Sequence, residues 1–193
     1  MSEQNPDEND VPSSPDEDEE DEYFFVSAAE PIPVELYSEY EERPFKVCTR
    51  CGETLADFEE GFQIAKVFRA GEAVFEYALC LPCHSAMQEE FSDETKEAME
   101  KFFSENAKTH LGLMTCAICE VDREDLPQNE YALTGICGGS LMMQGVMFCS
   151  PCIEQTNELV SKKTRDVWRD FIDENFPGVP ADALPDPAKV PVF

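Results

Sequence analysis

The sequence predicts an α+β protein made of two copies of one small four-cysteine module, set between an acidic arm and a proline-rich tail. Three observations lead there. Eight of the nine cysteines form four Cys-x-x-Cys pairs: Cys48/Cys51, Cys80/Cys83, Cys116/Cys119 and Cys149/Cys152. A shift of 69 residues lays Leu79-Cys80-Leu81-Pro82-Cys83 over Phe148-Cys149-Ser150-Pro151-Cys152. Within each copy, the apolar pattern changes from strand-like alternation to a helical period just after the second pair.

The ends differ from the middle. Residues 1–22 carry eleven acids and no base, with Pro, Ser and Asn between them. Such a segment buries too little apolar surface to offset its ordering entropy, so a disordered acidic arm is expected. Residues 23–45 form a linker with two apolar islands, Tyr23-Phe24-Phe25-Val26 and Ile32-Pro33-Val34-Glu35-Leu36-Tyr37. These either pack back onto the first module or act as a partner-binding motif that orders on contact. Residues 177–193 hold five prolines and read as an extended tail.

The first module is expected at 46–110 and the second at 111–176. In the first, Phe62–Arg69 alternates and is rich in strand formers, Ala70-Gly71-Glu72-Ala73 is a turn, and Val74–Leu79 returns as a second strand. In the second, Tyr131–Cys137 and Leu141–Phe148 flank Gly138-Gly139, which suits a tight hairpin turn. Pro82 and Pro151 fit the first turn of a helix, where a missing N–H costs nothing. Apolar residues then recur at helical spacing: Met87, Phe91, Ala98, Met99, Phe102 and Phe103 in one copy, and Leu159, Val160, Val167, Trp168, Phe171 and Ile172 in the other. Ser92 and Ser161 are placed to cap a second helical piece after a kink. Thr95 matches Thr164, and Glu105-Asn106 matches Glu174-Asn175, so the pattern reads as an internal duplication.

Two Cys-x-x-Cys pairs at this spacing supply one tetrahedral four-thiolate site. The expected sets are Cys48, Cys51, Cys80, Cys83 and Cys116, Cys119, Cys149, Cys152. Thiolate is the ligand form, and a helix N-terminus favours it through unpaired N–H groups and the helix dipole. Gly52 eases the turn after Cys51, whereas Glu120 stands at the matching place and is expected to make its knuckle less regular. Four cysteines leave no open position for water, so two structural Zn²⁺ ions are expected and the chain reads as non-enzymatic.

The order knuckle, hairpin, helix resembles the treble-clef class of zinc fingers over residues 46–106 and 114–176. That resemblance implies two ligands from a knuckle and two from the first turn of a helix, and it implies no particular function. Val47-Cys48-Thr49-Arg50-Cys51-Gly52 is also similar to a knuckle of rubredoxin, which implies a one-iron electron carrier. Against that, His84 and Ile153 follow the second pairs where rubredoxin usually has glycine. Cys-x-Pro-Cys at a helix start looks like a thioredoxin active site, but no βαβ frame is present and each pair has a mate at ligand spacing.

Charge narrows the partners. The chain has 42 acidic and 14 basic residues, a formal charge of −28. A chain so acidic is repelled by nucleic acid and anionic membranes, and a basic or nucleic-acid-associated protein is the expected partner. A nucleic-acid-binding finger would rest on Lys162, Lys163, Arg165 and Arg169. These also read as a solvated helix face with pairs Lys162–Asp166 and Arg169–Asp173. No long apolar run or secretory leader is legible, so reduced cysteines in the cytoplasm or nucleus are expected. Cys137, aligned with Phe68, reads as a small buried thiol, and His84 as a surface residue. Nothing near His110 marks it as catalytic. Trp168 is expected to pack between helix and hairpin.

Overall fold

Strand β2 (Phe62–Arg69) turns through Ala70 and Gly71, both with positive φ, into β3 (Glu72–Cys80). A turn with two left-handed residues matches the twist of the strands it joins, and glycine supplies one of them without strain. The second hairpin is β4 (Tyr131–Gly138) and β5 (Leu141–Cys149). Each hairpin has a register irregularity at a matching place, Val67/Phe68 in one and Ile136/Cys137 in the other. The computed structural model describes residues 29–108 and 112–177. The acidic arm, Tyr23–Val26, His110 and residues 178–193 lie outside them.

The hairpins join edge to edge. Strand β2 pairs antiparallel with β4 from Phe62↔Cys137 to Phe68↔Tyr131, centred on Ala65↔Thr134. Together with β1 (Glu30–Pro31), which pairs with β5, they form one sheet in the order β1-β5-β4-β2-β3. The register is reciprocal: Ala65 and Thr134 are 69 residues apart and face each other, and the pairs on either side exchange roles.

Each second cysteine pair opens a helix. Helix α1 (Leu81–Glu90) follows Cys80, and α3 (Ser150–Glu158) follows Cys149, each with proline in its first turn. Helices α2 (Asp93–Asn106) and α4 (Lys162–Asn175) start after Ser92 and Ser161, whose side chains accept from the N–H groups of Thr95 and Thr164. The caps also lock into one another. The Ser92 N–H donates to Thr164 Oγ1 at 3.1 Å, the Ser161 N–H donates to Thr95 Oγ1 at 2.9 Å, and the two serine hydroxyls lie 2.8 Å apart. Two helix starts therefore satisfy their orphan donors across the molecule. Sequence matching singled out the four residues, but not this exchange.

The second helix of each half crosses to the other half's hairpin. Trp168 and Phe171 of α4 pack edge-on against Tyr77 of β3, and Phe176 packs against Phe75. Phe103 of α2 packs against Phe148 of β5. Trp168 thus sits between helix and hairpin, and the hairpin is the first one.

The opposite sheet face is covered by residues 32–37. Ile32 is buried, and Leu36 is wholly buried in a 3-10 turn (Val34–Leu36) lying over β2 and β4. A Cβ on Gly135 would stand 2.5 Å from Leu36 Cδ1, so glycine makes room for this leucine. Of the segment expected as a linker, Ile32 and Leu36 belong to the core and Tyr37 and Phe45 pack against it, whereas most other described residues, Val34 and Tyr40 among them, stay exposed. Covering both faces buries nearly all of β2, including polar Gln63 and Lys66. The Lys66 ammonium donates to the Tyr37 carbonyl at 2.5 Å and lies 3.4 Å from a carboxylate oxygen of Glu76. Glu76 in turn accepts from the Ser38 hydroxyl and the Glu39 N–H, so a buried lysine and a half-buried glutamate hold this segment to the sheet.

Candidate metal centres

The structure brings the eight cysteines into two groups of four. In each, Cys48, Cys51, Cys80, Cys83 and Cys116, Cys119, Cys149, Cys152, the sulfurs all lie within 4.8 Å of one another. Among the described residues, no histidine or carboxylate joins either group.

The knuckles are built by backbone bonds. The Cys48 N–H donates to the Glu53 carbonyl at 2.8 Å, and the Gly52 N–H donates to the Cys48 carbonyl at 2.8 Å. In the other half, Cys116 bonds Val121 and Glu120 bonds Cys116, both at 2.9 Å. The expected irregularity at Glu120 is absent from this bonding. Glu120 adopts φ +61°, beside +75° for Gly52. The turn is kept and the strain falls on the residue, since a side chain in the left-handed region costs roughly 1–2 kcal/mol. Each knuckle then docks on the edge of its own hairpin: the Thr49 N–H donates to the Ala78 carbonyl, and the Ala117 N–H to the Met147 carbonyl.

The second pairs come from helix starts. Cys80 and Cys149 are N-cap residues, and Cys83 and Cys152 lie in the first turns. The N–H of Cys80 points at Cys48 Sγ (3.4 Å), and that of Cys149 points at Cys116 Sγ (3.5 Å). Arg50 adds a brace found only in the first half. Its guanidinium reaches the Cys83 carbonyl and the Glu90 carboxylate, tying knuckle to helix. A lone arginine inside a knuckle gave no signal of this in the sequence.

Acidity within each group is uneven. Burial resists ionisation of Cys48, but N–H groups of Cys51, Cys80 and Arg50 together outweigh it and hold the thiol down to about 7. Cys116 is pulled far below the usual thiol range by donation from the Cys149 and Cys152 thiols, then by backbone N–H groups. Their partners move the other way. Cys83 is pushed up, first by burial and then by the thiols beside it. Cys149 is pushed up to about 12 by its bond to Cys116, and Cys152 rises for the same reason. One thiolate forms readily in each group and opposes ionisation of Cys80 and Cys83 in the first and of Cys149 and Cys152 in the second. A divalent cation among the four sulfurs removes that conflict, because it replaces the protons with a charge all four can face. The donor set therefore fits one metal ion per group.

Other singled-out residues are placed as follows. Cys137 is wholly buried on β4, and burial pushes its thiol up to about 12. His84 is buried rather than on the surface, because the first turn of α1 faces inward there. On α4, Lys162 pairs with Asp166 at 2.6 Å, and Arg169 also turns to Asp166 instead of Asp173. Among the described residues, no helix is long and apolar enough to cross a membrane. No family model, curated protein or solved structure matches the chain.

Proposed function

We propose that the chain is a non-enzymatic, zinc-stabilised protein-interaction module built by duplication of a treble-clef-like unit. The observation that carries the zinc reading is the make-up of each donor set. Four sulfurs, two from a knuckle and two from a helix start, fill a tetrahedral shell and leave no place for water or substrate. The residues act by holding: the N–H groups of Cys80 and Cys149 steady one sulfur each, and the first-turn N–H groups of Cys83 and Cys152 favour thiolate at Cys80 and Cys149. Bound zinc would supply cross-links between knuckle and helix, and with them much of the folding free energy. The duplication is supported by equal element order, matching caps and a reciprocal sheet register.

Acidity supports a basic protein partner. The arm alone carries eleven acids, enough to steer a positively charged surface. Metal content measured on protein from native cells tests the first part. Two zinc ions per chain are expected, and one-iron sites with a red colour bleached by reduction would replace this reading with an electron carrier. Co-purification tests the second part. Capture of basic proteins, lost as salt rises, is expected, whereas salt-insensitive capture of non-basic proteins would overturn the steering role.

A further inference from the structure

The two grooves between helix and sheet are unequal. Over the first hairpin, Phe75, Tyr77, Trp168 and Phe176 fill the space. Sixty-nine residues away from each stand Gln144, Val146, Met99 and Ala107, and all four line a cavity of about 680 Å³ under α2. Every exchange removes an aromatic ring. The remaining wall is largely apolar, with Phe91, Phe103 and Phe148, and the cationic side chains of Lys96 and Lys108 stand at its margin. A cavity of this size is well above the scale of packing defects and within the range of binding pockets, roughly 300–1,000 Å³.

We propose that this groove docks the segment Asp21–Val26 of the same chain, with the aromatic side chains of Tyr23-Phe24-Phe25 replacing the rings the groove lacks. Three observations point to that occupant. The first is path. Strand β1 runs antiparallel to β5, with Glu30 opposite Met142, so the line of β1 extended back past Glu30 runs along β5 toward Gln144, Val146 and Phe148. Val26 lies four residues before Glu30 and Val146 four residues after Met142, so the reach matches at about 3.3 Å per residue. The second is chemistry, because the equivalent groove is already filled by aromatic side chains of this chain. The third is charge. Asp21 and Glu22 precede the aromatics, and Lys96 and Lys108 flank the groove in a chain with only 14 bases against 42 acids. A docked segment would bring the acidic arm to the α2 side of the molecule, and a partner with a similar acidic–aromatic stretch would have to displace it. None of this depends on which metal the cysteines hold.

The test uses the full metal-loaded chain with ¹³C-methyl methionine. Met99 lines the groove, whereas Met147 is buried, does not line it and serves as the control. Changing Phe24→Ser with Phe25→Ser should shift the Met99 methyl resonance, leave Met147 in place, and raise the fluorescence of the apolar dye ANS. The second variant, Lys96→Glu with Lys108→Glu, should shift Met99 in the same direction by a smaller amount. A Met99 resonance unmoved by Phe24→Ser/Phe25→Ser, with unchanged dye binding, would overturn the proposal. So would native mass spectrometry showing a small apolar molecule retained equally by both forms.

Discussion

Replacing Lys66 with methionine should loosen residues 32–45 from the sheet without disturbing either cysteine group. The side chain is 1% exposed and has three neighbours of unequal worth. Its bond to the Tyr37 carbonyl is charge-assisted and contributes about 1.5–3 kcal/mol. The Glu76 carboxylate, 18% exposed, lies 3.4 Å from the ammonium, and most of its attraction offsets the cost of burying that charge. Glu39 is 72% exposed and 3.5 Å away, so its share is below about 0.5 kcal/mol. Met fills a similar volume. Lys66→Met therefore costs about 2–4 kcal/mol, from the lost carbonyl bond and a Glu76 left with only the Ser38 hydroxyl and Glu39 N–H. Glu76→Gln should cost about 1–2 kcal/mol and Glu39→Gln almost nothing.

The assay is urea unfolding of the metal-loaded chain, with a double-mutant cycle on Lys66 and Glu76 and amide exchange at Ser38 as the local readout. The Ser38 N–H bonds the Arg43 carbonyl at 2.9 Å within the segment that Lys66 holds. Its exchange should quicken in Lys66→Met more than exchange at Ala65 in the sheet. A Lys66→Met protein as stable as wild type would refute the reasoning, since buried pairs can be neutral against an apolar isostere. Equal costs for Glu39→Gln and Glu76→Gln would refute it too, because burial would then not rank the partners.

Other outcomes follow from the same contacts. Glu120→Gly should stabilise the chain by about 0.5–1 kcal/mol and Gly52→Ala should destabilise it by a similar amount, read as opposite shifts in the denaturation midpoint. Cys137 should react far more slowly than a free thiol: it is wholly buried, and with its thiol up at about 12 the thiolate fraction at pH 8 is about 10³-fold below that of a thiol at 9, so reaction should wait for unfolding. The sign is that of a raised group, so stability owed to neutral Cys137 is present below about pH 9 and declines as pH climbs toward 12; a Cys137→Ala protein lacking that decline checks it. Trp168→Ala should cost about 3–5 kcal/mol, whereas Trp168→Phe should cost far less, because the buried indole N–H has no hydrogen-bond partner among the described residues. Removing metal at pH 7 should unfold both halves together, since β2–β4 pairing and the crossed helices join them; separate transitions would contradict that coupling.

Much of the fold was legible because its signals are local. Cys-x-x-Cys spacing, Pro82 and Pro151, and the serines before Thr95 and Thr164 each report on a few neighbouring residues. The two hairpins could be placed to within two residues, and the helix starts marked by Pro82, Ser92, Pro151 and Ser161, for that reason. What stayed hidden depends on pairing across long separations. An alternating strand such as Phe62–Arg69 does not say which edge it will share, so the joint with β4 was invisible. Nothing in the sequence around Lys66 shows that Tyr37 and Glu76 enclose it. The same limit applies to the unequal grooves. Met99 and Ala107 are ordinary helix residues when read alone. They become informative only beside Trp168 and Phe176, once the structure shows that each pair faces a hairpin of the other half. The cysteines can therefore account for the scaffold, and they are nearly the same in both halves. Any role that needs one binding surface rather than two must come from where the halves differ, and the groove under α2 is such a difference.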